Sequence, residues 1–199
     1  MAKIKNVKGR QVFDSRGNPT VEAEIFSNNG NKINAIVPSG ASTGTHEAHE
    51  LRDTDQKDYL GKGVQKAVNN INEKISKALK GFNLLDQKII DEKVISLDGT
   101  EQKINLGANS ILAVSMAACK LAAIEKKIPL YKSLSKTNKF TLPIPLLNII
   151  NGGVHANNGL EIQEFMIRPE NVVNFKEAIR RSYLVIQNLK KKVNNTNVG

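Results

Sequence analysis

The chain has 199 residues, 40% of them hydrophobic, and carries 29 Lys and Arg against 19 Asp and Glu, for a formal net charge of +10. It holds enough apolar material for a domain-sized core, and no run approaches the ~18 consecutive apolar residues of a membrane span. Met1-Ala2-Lys3-Ile4-Lys5-Asn6 lacks the apolar block of a signal peptide, so a cytoplasmic location is expected; with dispersed lysines, no tryptophan and 5% aromatics, no nucleic-acid partner is expected.

A strand from about Ile4 to Phe13 opens the chain. Thr20-Val21-Glu22-Ala23-Glu24-Ile25-Phe26 alternates at period two, Ser27-Asn28-Asn29-Gly30-Asn31 supplies an Asn-Gly hairpin turn, and Ile33 to Val37 completes an antiparallel meander. From Gly63 the period becomes helical. Val64, Ala67, Val68, Ile71, Ile75, Ala78 and Leu79 form an apolar face with lysines on the other side, and Gly81 is placed as the C-terminal cap. Asp86 caps a second helix through Ile89, Ile90 and Val94 that ends near Asp98-Gly99. The third, Ala108 to Lys126, is apolar nearly all round, which predicts enclosure on several sides. Its Cys119, the only cysteine, is expected to be a buried small hydrophobe. Residues 1–133 therefore read as an α+β domain, a three-stranded meander followed by helices.

Residues 134–141 read as a polar linker, and Pro143 and Pro145 bracket the entry to a second domain over 142–199. Strands are predicted over Ile144 to Ile150 and Ile162 to Ile167. Asn174 and Glu177 resemble a capping box opening a helix through Ile179, Tyr183, Ile186 and Leu189. Two strands and one helix do not close a core.

Four segments stand out in order: Asp14-Ser15-Arg16-Gly17-Asn18-Pro19-Thr20, Pro38-Ser39-Gly40-Ala41-Ser42-Thr43-Gly44, Asn151-Gly152-Gly153-Val154-His155-Ala156 and Gln163-Glu164-Phe165-Met166. Together with Leu97-Asp98-Gly99-Thr100 and Leu106-Gly107-Ala108-Asn109 they make the chain resemble the N-terminal portion of bacterial-type enolases (phosphopyruvate hydratases). The resemblance implies an α+β cap domain followed by the first strands and helix of a β/α barrel. That barrel is incomplete at this length, since a whole one takes ~250 residues. It further implies a Mg²⁺-dependent glycolytic lyase that interconverts 2-phospho-D-glycerate with phosphoenolpyruvate and water. A homodimer is also implied, with the position of Arg10 facing the second subunit.

Apart from the resemblance, residues 39–44 form a hydroxyl-rich loop whose glycines let backbone approach a ligand, and whose hydroxyls could complete the oxygen shell of Mg²⁺. The resemblance makes Ser39, Gly40, Ala41, Ser42 and Thr43 a lid over substrate, with Ser42 as ligand of a second magnesium. In the second domain, antiparallel strands would bring His155, in the loop, to the same rim as Gln163 and Glu164. Glu164 would share a strand face with Ile162 and Met166, an apolar surround in which a carboxylate needs partners. The resemblance assigns His155, Gln163 and Glu164 to substrate binding. His46 and His49 form an i, i+3 pair that reads as solvated, and Arg10 and Arg16 read as ion-pair partners.

This chemistry removes a proton beside a carboxylate and expels hydroxide. In the enolase superfamily itself a Lys or His base and one or two Mg²⁺ ions are the described solution. The resemblance places the general acid in an Asp-Glu-Gly-Gly segment directly after an Asn-Val-Gly like Asn197-Val198-Gly199, and the base lysine and main carboxylate ligands further on. The 199 residues alone are therefore expected to be inactive. The alternatives are a non-catalytic binding or surface protein, or a fragment completed by a separate barrel half. A plasminogen-binding role, known in some enolases, has no signature in these residues.

Overall fold

The computed structural model describes residues 1–40 and 43–193. Two compact units divide the chain, Met1–Lys136 and Thr137–Gly199.

In the first unit β1 (Ile4–Phe13), β2 (Pro19–Ser27) and β3 (Lys32–Val37) pair antiparallel in that order, as the alternation predicts. The first turn is closed by Asp14, whose Oδ1 accepts from the backbone N–H groups of Arg16 (2.8 Å) and Asn18 (2.9 Å), with Gly17 at φ +75°. The second is the Asn-Gly hairpin, where Gly30 takes φ +89°. Val21, Ala23 and Ile25 point from β2 into the core, while Glu22 and Glu24 lie on the other face, both bonded to Arg10.

A continuous helix follows, in α1 (Gln65–Asn69), a π-helical turn (Asn70–Ile75) and α2 (Ser76–Leu79). The predicted regular helix is thus widened in its middle. Two anchoring side chains sit in that turn. Asn70 Nδ2 donates to the Asn105 (3.2 Å) and Leu106 (3.1 Å) carbonyls, and Asn72 brackets Gly9, accepting from its N–H and donating to its carbonyl. A Cβ on Gly9 would lie 3.0 Å from Ile71 Cβ and 3.1 Å from the Val68 carbonyl, so glycine lets the helix rest directly on β1.

The helix α3 (Gln87–Asp98) starts on the Asp86 cap, which accepts from Ile89 N–H at 3.2 Å, and stops at Gly99 with φ +74°. Buried Asp98 then organises the next loop, accepting from the N–H groups of Leu106 (2.7 Å), Thr100 (3.0 Å) and Asn105 (3.1 Å). Burial pushes its carboxyl up, but hydrogen bonds from the Thr100 hydroxyl and those three N–H groups outweigh it and hold it below the usual carboxylate range.

The long helix α4 (Ala108–Glu125) packs Ala113, Val114, Ala117, Ala118 and Leu121 into the core against β2 and β3. It is not enclosed all round: Leu112, Met116 and Ile124 are exposed. By length and composition alone its 18 residues are long and apolar enough to cross a membrane, but Asn109, Ser110, Ser115 and Lys120 interrupt the apolar run and half of the stretch is buried in the unit, as in the core helix of a globular domain. Cys119 is only half-buried, not a core residue, because it points away from the sheet into a cleft with Leu130 and Leu134 of α5 (Leu130–Leu134). Burial and the nearby Asp91 charge push its thiol up.

The second unit holds an antiparallel pair, β4 (Leu147–Asn151) and β5 (Glu164–Ile167), and α6 (Phe175–Lys192), with no closed sheet among the described residues. These two strands and one helix close no barrel by themselves. Both strands are shorter than predicted. Pro145 has no N–H for a ladder, so pairing begins after it, and Ile162 and Gln163 belong to the loop, where Gln163 carbonyl accepts from Gly152 N–H at 2.9 Å. Asn174 caps α6 as expected, accepting from Glu177 N–H at 2.9 Å. The inward stripe of α6 differs from the predicted one. Ala178 and Ser182 are buried with Ile186 and Leu189 half-buried, whereas Ile179 and Tyr183 are exposed.

Candidate functional site

Two clusters carry the residues singled out from sequence, one in each unit. In the first, Ser39, Gly40 and Thr43 are described, while Ala41 and the candidate magnesium ligand Ser42 lie outside the described residues. The foot of this loop is tied to charged side chains. Ser39 Oγ donates to Glu50 and accepts from Arg52 Nη2, and Arg16 Nη2 donates to the Ser39 carbonyl at 2.5 Å.

The segment after the loop is held as firmly. His49 N–H donates to Gln102 carbonyl (2.7 Å) and its own carbonyl accepts from Ala108 N–H (2.8 Å). Asn109 then clamps Leu51 from both sides, accepting from its N–H at 3.2 Å and donating to its carbonyl at 3.1 Å. Gly107, at φ +89°, is required here, because a Cβ would fall 2.5 Å from Leu51 Cβ. The Leu106-Gly107-Ala108-Asn109 segment is thus an anchor for the loop's outgoing strand of chain. The sequence motif by itself does not announce this role. An asparagine in the first turn of a helix, next to a glycine, is the signal that could have suggested it. Thr43 itself is exposed, so the described residues on either side of the loop are pinned while Thr43 faces solvent.

In the second unit Asn151 pairs with Glu164, which brings the loop after β4 and the start of β5 to one rim. The predicted convergence occurs: His155 Nε2 lies 2.8 Å from Gln163 Nε2, and His155 Nδ1 lies 3.5 Å from Glu164 Oε1. An imidazole carrying its proton on Nδ1 satisfies both, accepting from the Gln163 amide and donating toward the Glu164 carboxylate. The expected apolar surround of Glu164 is absent. Ile162 and Met166 are exposed, Ile162 is off the strand, and the partner of Glu164 is His155.

Glycine and asparagine shape this loop. A Cβ on Gly152 would sit 2.4 Å from the Ile162 carbonyl and 2.7 Å from Leu160 Cβ, and Gly153 takes φ +54°. Asn158 crosses the loop's base, donating to the Asn151 carbonyl at 2.8 Å and accepting from Leu160 N–H at 3.1 Å. The sequence reading passed over Asn158, although the Asn-Asn-Gly in which it sits is a turn signal. The result is one imidazole, one amide and one carboxylate at a partly open rim, a set that can donate to and accept from an oxygen-rich small molecule.

These groups do not by themselves make a magnesium centre. Among the described residues no three His, Cys, Asp or Glu side chains come together, and one carboxylate with one amide falls short of the near-octahedral oxygen shell that Mg²⁺ demands. His46 and His49 are both exposed and form part of no such group.

Comparison with known proteins matches residues 4–134 to the family described as the enolase N-terminal domain, and residues 139–199 to the enolase C-terminal TIM barrel domain. The chain is 62% identical over 191 residues to the enolase of Pelagibacter ubique (strain HTCC1062), an alignment that covers 96% of this chain and 46% of that relative. It therefore spans about half the length of the curated relative it matches. With the cap-domain meander, the pinned loop and the His155 rim in place, the two domain matches and this identity show that the chain belongs to the enolase family.

Proposed function

We propose that this chain is the cap domain and barrel start of a cytoplasmic, glycolytic enolase that interconverts 2-phospho-D-glycerate with phosphoenolpyruvate and water, with Mg²⁺ as cofactor and a homodimer as its working form. The observation that carries the reading is the convergence of His155, Gln163 and Glu164 on one rim, within a chain 62% identical to an enolase. In this reading those three side chains bind the substrate's oxygens. Ser39, Gly40, Ala41, Ser42 and Thr43 close over it, and Ser42 supplies one hydroxyl to a metal. Magnesium, when bound, neutralises charge that develops on the substrate carboxylate. The residues of this chain orient the substrate and exclude water around it. The division into 1–133, a linker 134–141 and 142–199 belongs to the same proposal.

The 199 residues do not turn over substrate unaided in this reading. His155 and Glu164 are assigned here to holding the substrate's oxygens, which leaves neither as general acid or base. Apolar side chains of the second unit such as Leu142, Leu146 and Phe165 remain exposed, which favours a requirement for further β/α units to cover them. The test is a Mg²⁺-dependent assay following the ultraviolet absorbance of the enol phosphate. It compares the 199-residue chain alone with the chain joined to, or co-expressed with, the remaining portion of the Pelagibacter relative. Activity only in the completed form supports the proposal; turnover by the 199-residue chain alone, or none in a folded completed form, overturns it.

A further inference from the structure

On the first unit a cavity of about 270 Å³ opens between the β1–β2 turn, the foot of the Ser39 loop and the segment before α1. It is lined by Arg16, Asn18, Ser39, Gly40, Arg52 and Lys62. Three cations meet here with two carboxylates nearby, and both carboxylates are turned to other work. Asp14 accepts from the backbone of its own turn and lies 3.8 Å from Arg16, and Glu50 sits on Arg52 and Ser39.

The cations differ in how far they are used. Arg52 is a structural clamp, since Nη1 donates to the Pro19 and Lys62 carbonyls and Nη2 to Ser39 and Glu50. Arg16 contacts the loop carbonyls through one terminal nitrogen, Nη2. Lys62 Nζ meets the Asn18 side-chain oxygen at 3.1 Å, a neutral partner, and among the described residues it makes no ion pair. A fixed guanidinium and an ammonium spaced by an amide, all facing one concave space, suit a ligand with several anionic oxygens, because a planar Arg fork and a Lys point charge can each take a different oxygen.

We propose that this pocket binds a phosphate-bearing small molecule, with Arg16 and Lys62 as its charged donors and Asn18 between them. Its location gives binding a consequence. An oxyanion on the Nε and Nη1 groups of Arg16 leaves Nη2 on the Ser39 and Gly40 carbonyls, so occupancy fixes the guanidinium that holds this foot of the loop. The inference rests on the cavity and is independent of whether the chain supports turnover.

The probe is inorganic phosphate titrated into the ¹⁵N-labelled 199-residue chain at constant ionic strength, followed by amide chemical shifts. Saturable shifts confined to residues 16–18, 39–40, 52 and 61–63 are expected. Lys62→Gln and Arg16→Gln are each expected to weaken binding about tenfold, the worth of one charge-assisted hydrogen bond. Lys8→Gln, on exposed β1 surface, is expected to leave it unchanged. Lys62 is exposed, so its variant keeps the fold even if Arg16→Gln disturbs the loop. Shifts that grow linearly and spread across the chain's lysines, or affinity unaltered by Lys62→Gln in a folded protein, would overturn the site.

Discussion

The two units treat similar apolar residues in opposite ways. In the first, Val21, Ala23, Ile25, Ile71, Ile75 and Leu121 are completely buried between one sheet and the helices laid on it. In the second, Ile149 and Ala178 are the buried apolar residues among those described, and Leu146, Phe165, Met166, Leu184 and Val185 face solvent. Burial contributes about 25 cal/mol per Å² of apolar surface removed from water, so the first unit draws on a core of its own and the second draws on little. Secondary structure alone would not reveal this, because β4, β5 and α6 are as well formed locally as β1, β2 and α4.

The sharpest way to break the comparison is to cut one leucine from each unit. Leu121→Ala is expected to lower the first unit's stability by about 2–5 kcal/mol, since it removes a fully buried side chain from a packed core. Leu146→Ala, mostly exposed, is expected to change stability by no more than about 0.5 kcal/mol. Chemical denaturation followed by far-ultraviolet circular dichroism measures both. Comparable losses would mean that the second unit has a core of its own after all.

Next in size is Asp98, whose carboxylate replaces the backbone ladder in the loop between α3 and α4. Asp98→Ala leaves the buried N–H of Leu106 and the part-buried N–H groups of Thr100 and Asn105 short of an acceptor and is expected to cost about 1–3 kcal/mol. Because its folded pKa is depressed, the contribution is complete above the ordinary carboxylate pKa and is lost as pH falls through the lower, folded value. Denaturation midpoints of the parent chain should therefore decline on acidification, and those of the variant should decline less.

What was legible in the sequence follows the same division. The meander, its Asn-Gly turn, the Asp86 and Asn174 caps and the rim of His155, Gln163 and Glu164 were all readable, because each depends on local turn chemistry or on strands adjacent in sequence. The π turn at Asn70–Ile75 was not, since it goes with contacts from Asn70 and Asn72 to segments 35 and 63 residues away. The inward stripe of α6 was misread for a related reason. Periodicity in Phe175–Lys192 offers two apolar stripes, and only the neighbouring segments 142–145 and 167–170 select Ala178 and Ser182 over Ile179 and Tyr183. Apolar residues at Ile162 and Met166 likewise predicted a surround for Glu164 that these two strands do not provide.

A smaller effect tests α6 at its start. Asn174→Ala removes the side-chain acceptor from Glu177 N–H and is expected to destabilise the helix by about 1 kcal/mol. Hydrogen exchange of the amides from 175 to 179 measures it. Faster exchange confined to the first turn is expected, whereas an unchanged pattern would mean that the cap holds nothing.

The smallest effect discriminates most finely between the units, because it asks whether α6 is formed at all. Glu177 lies between Arg180, at 2.8 Å, and Arg181, at 2.9 Å, on successive turns of that helix, an arrangement that exists only while the helix does. Hydrogen bonds from Arg180 first and Arg181 second hold its carboxyl down to about 2. The pKa is depressed, so the ion pairs persist at ordinary pH and are lost only as pH falls through that value, with little gain in stability because the group is on the surface. A carboxyl ¹³C titration of the 199-residue chain should place Glu177 near this low midpoint. Arg180→Gln should move it back toward the ordinary glutamate range, and Arg181→Gln should move it less. An ordinary midpoint in the parent chain would show that α6 is frayed in solution, and the contrast between a self-sufficient first unit and a dependent second one would then extend from side-chain burial to the backbone itself.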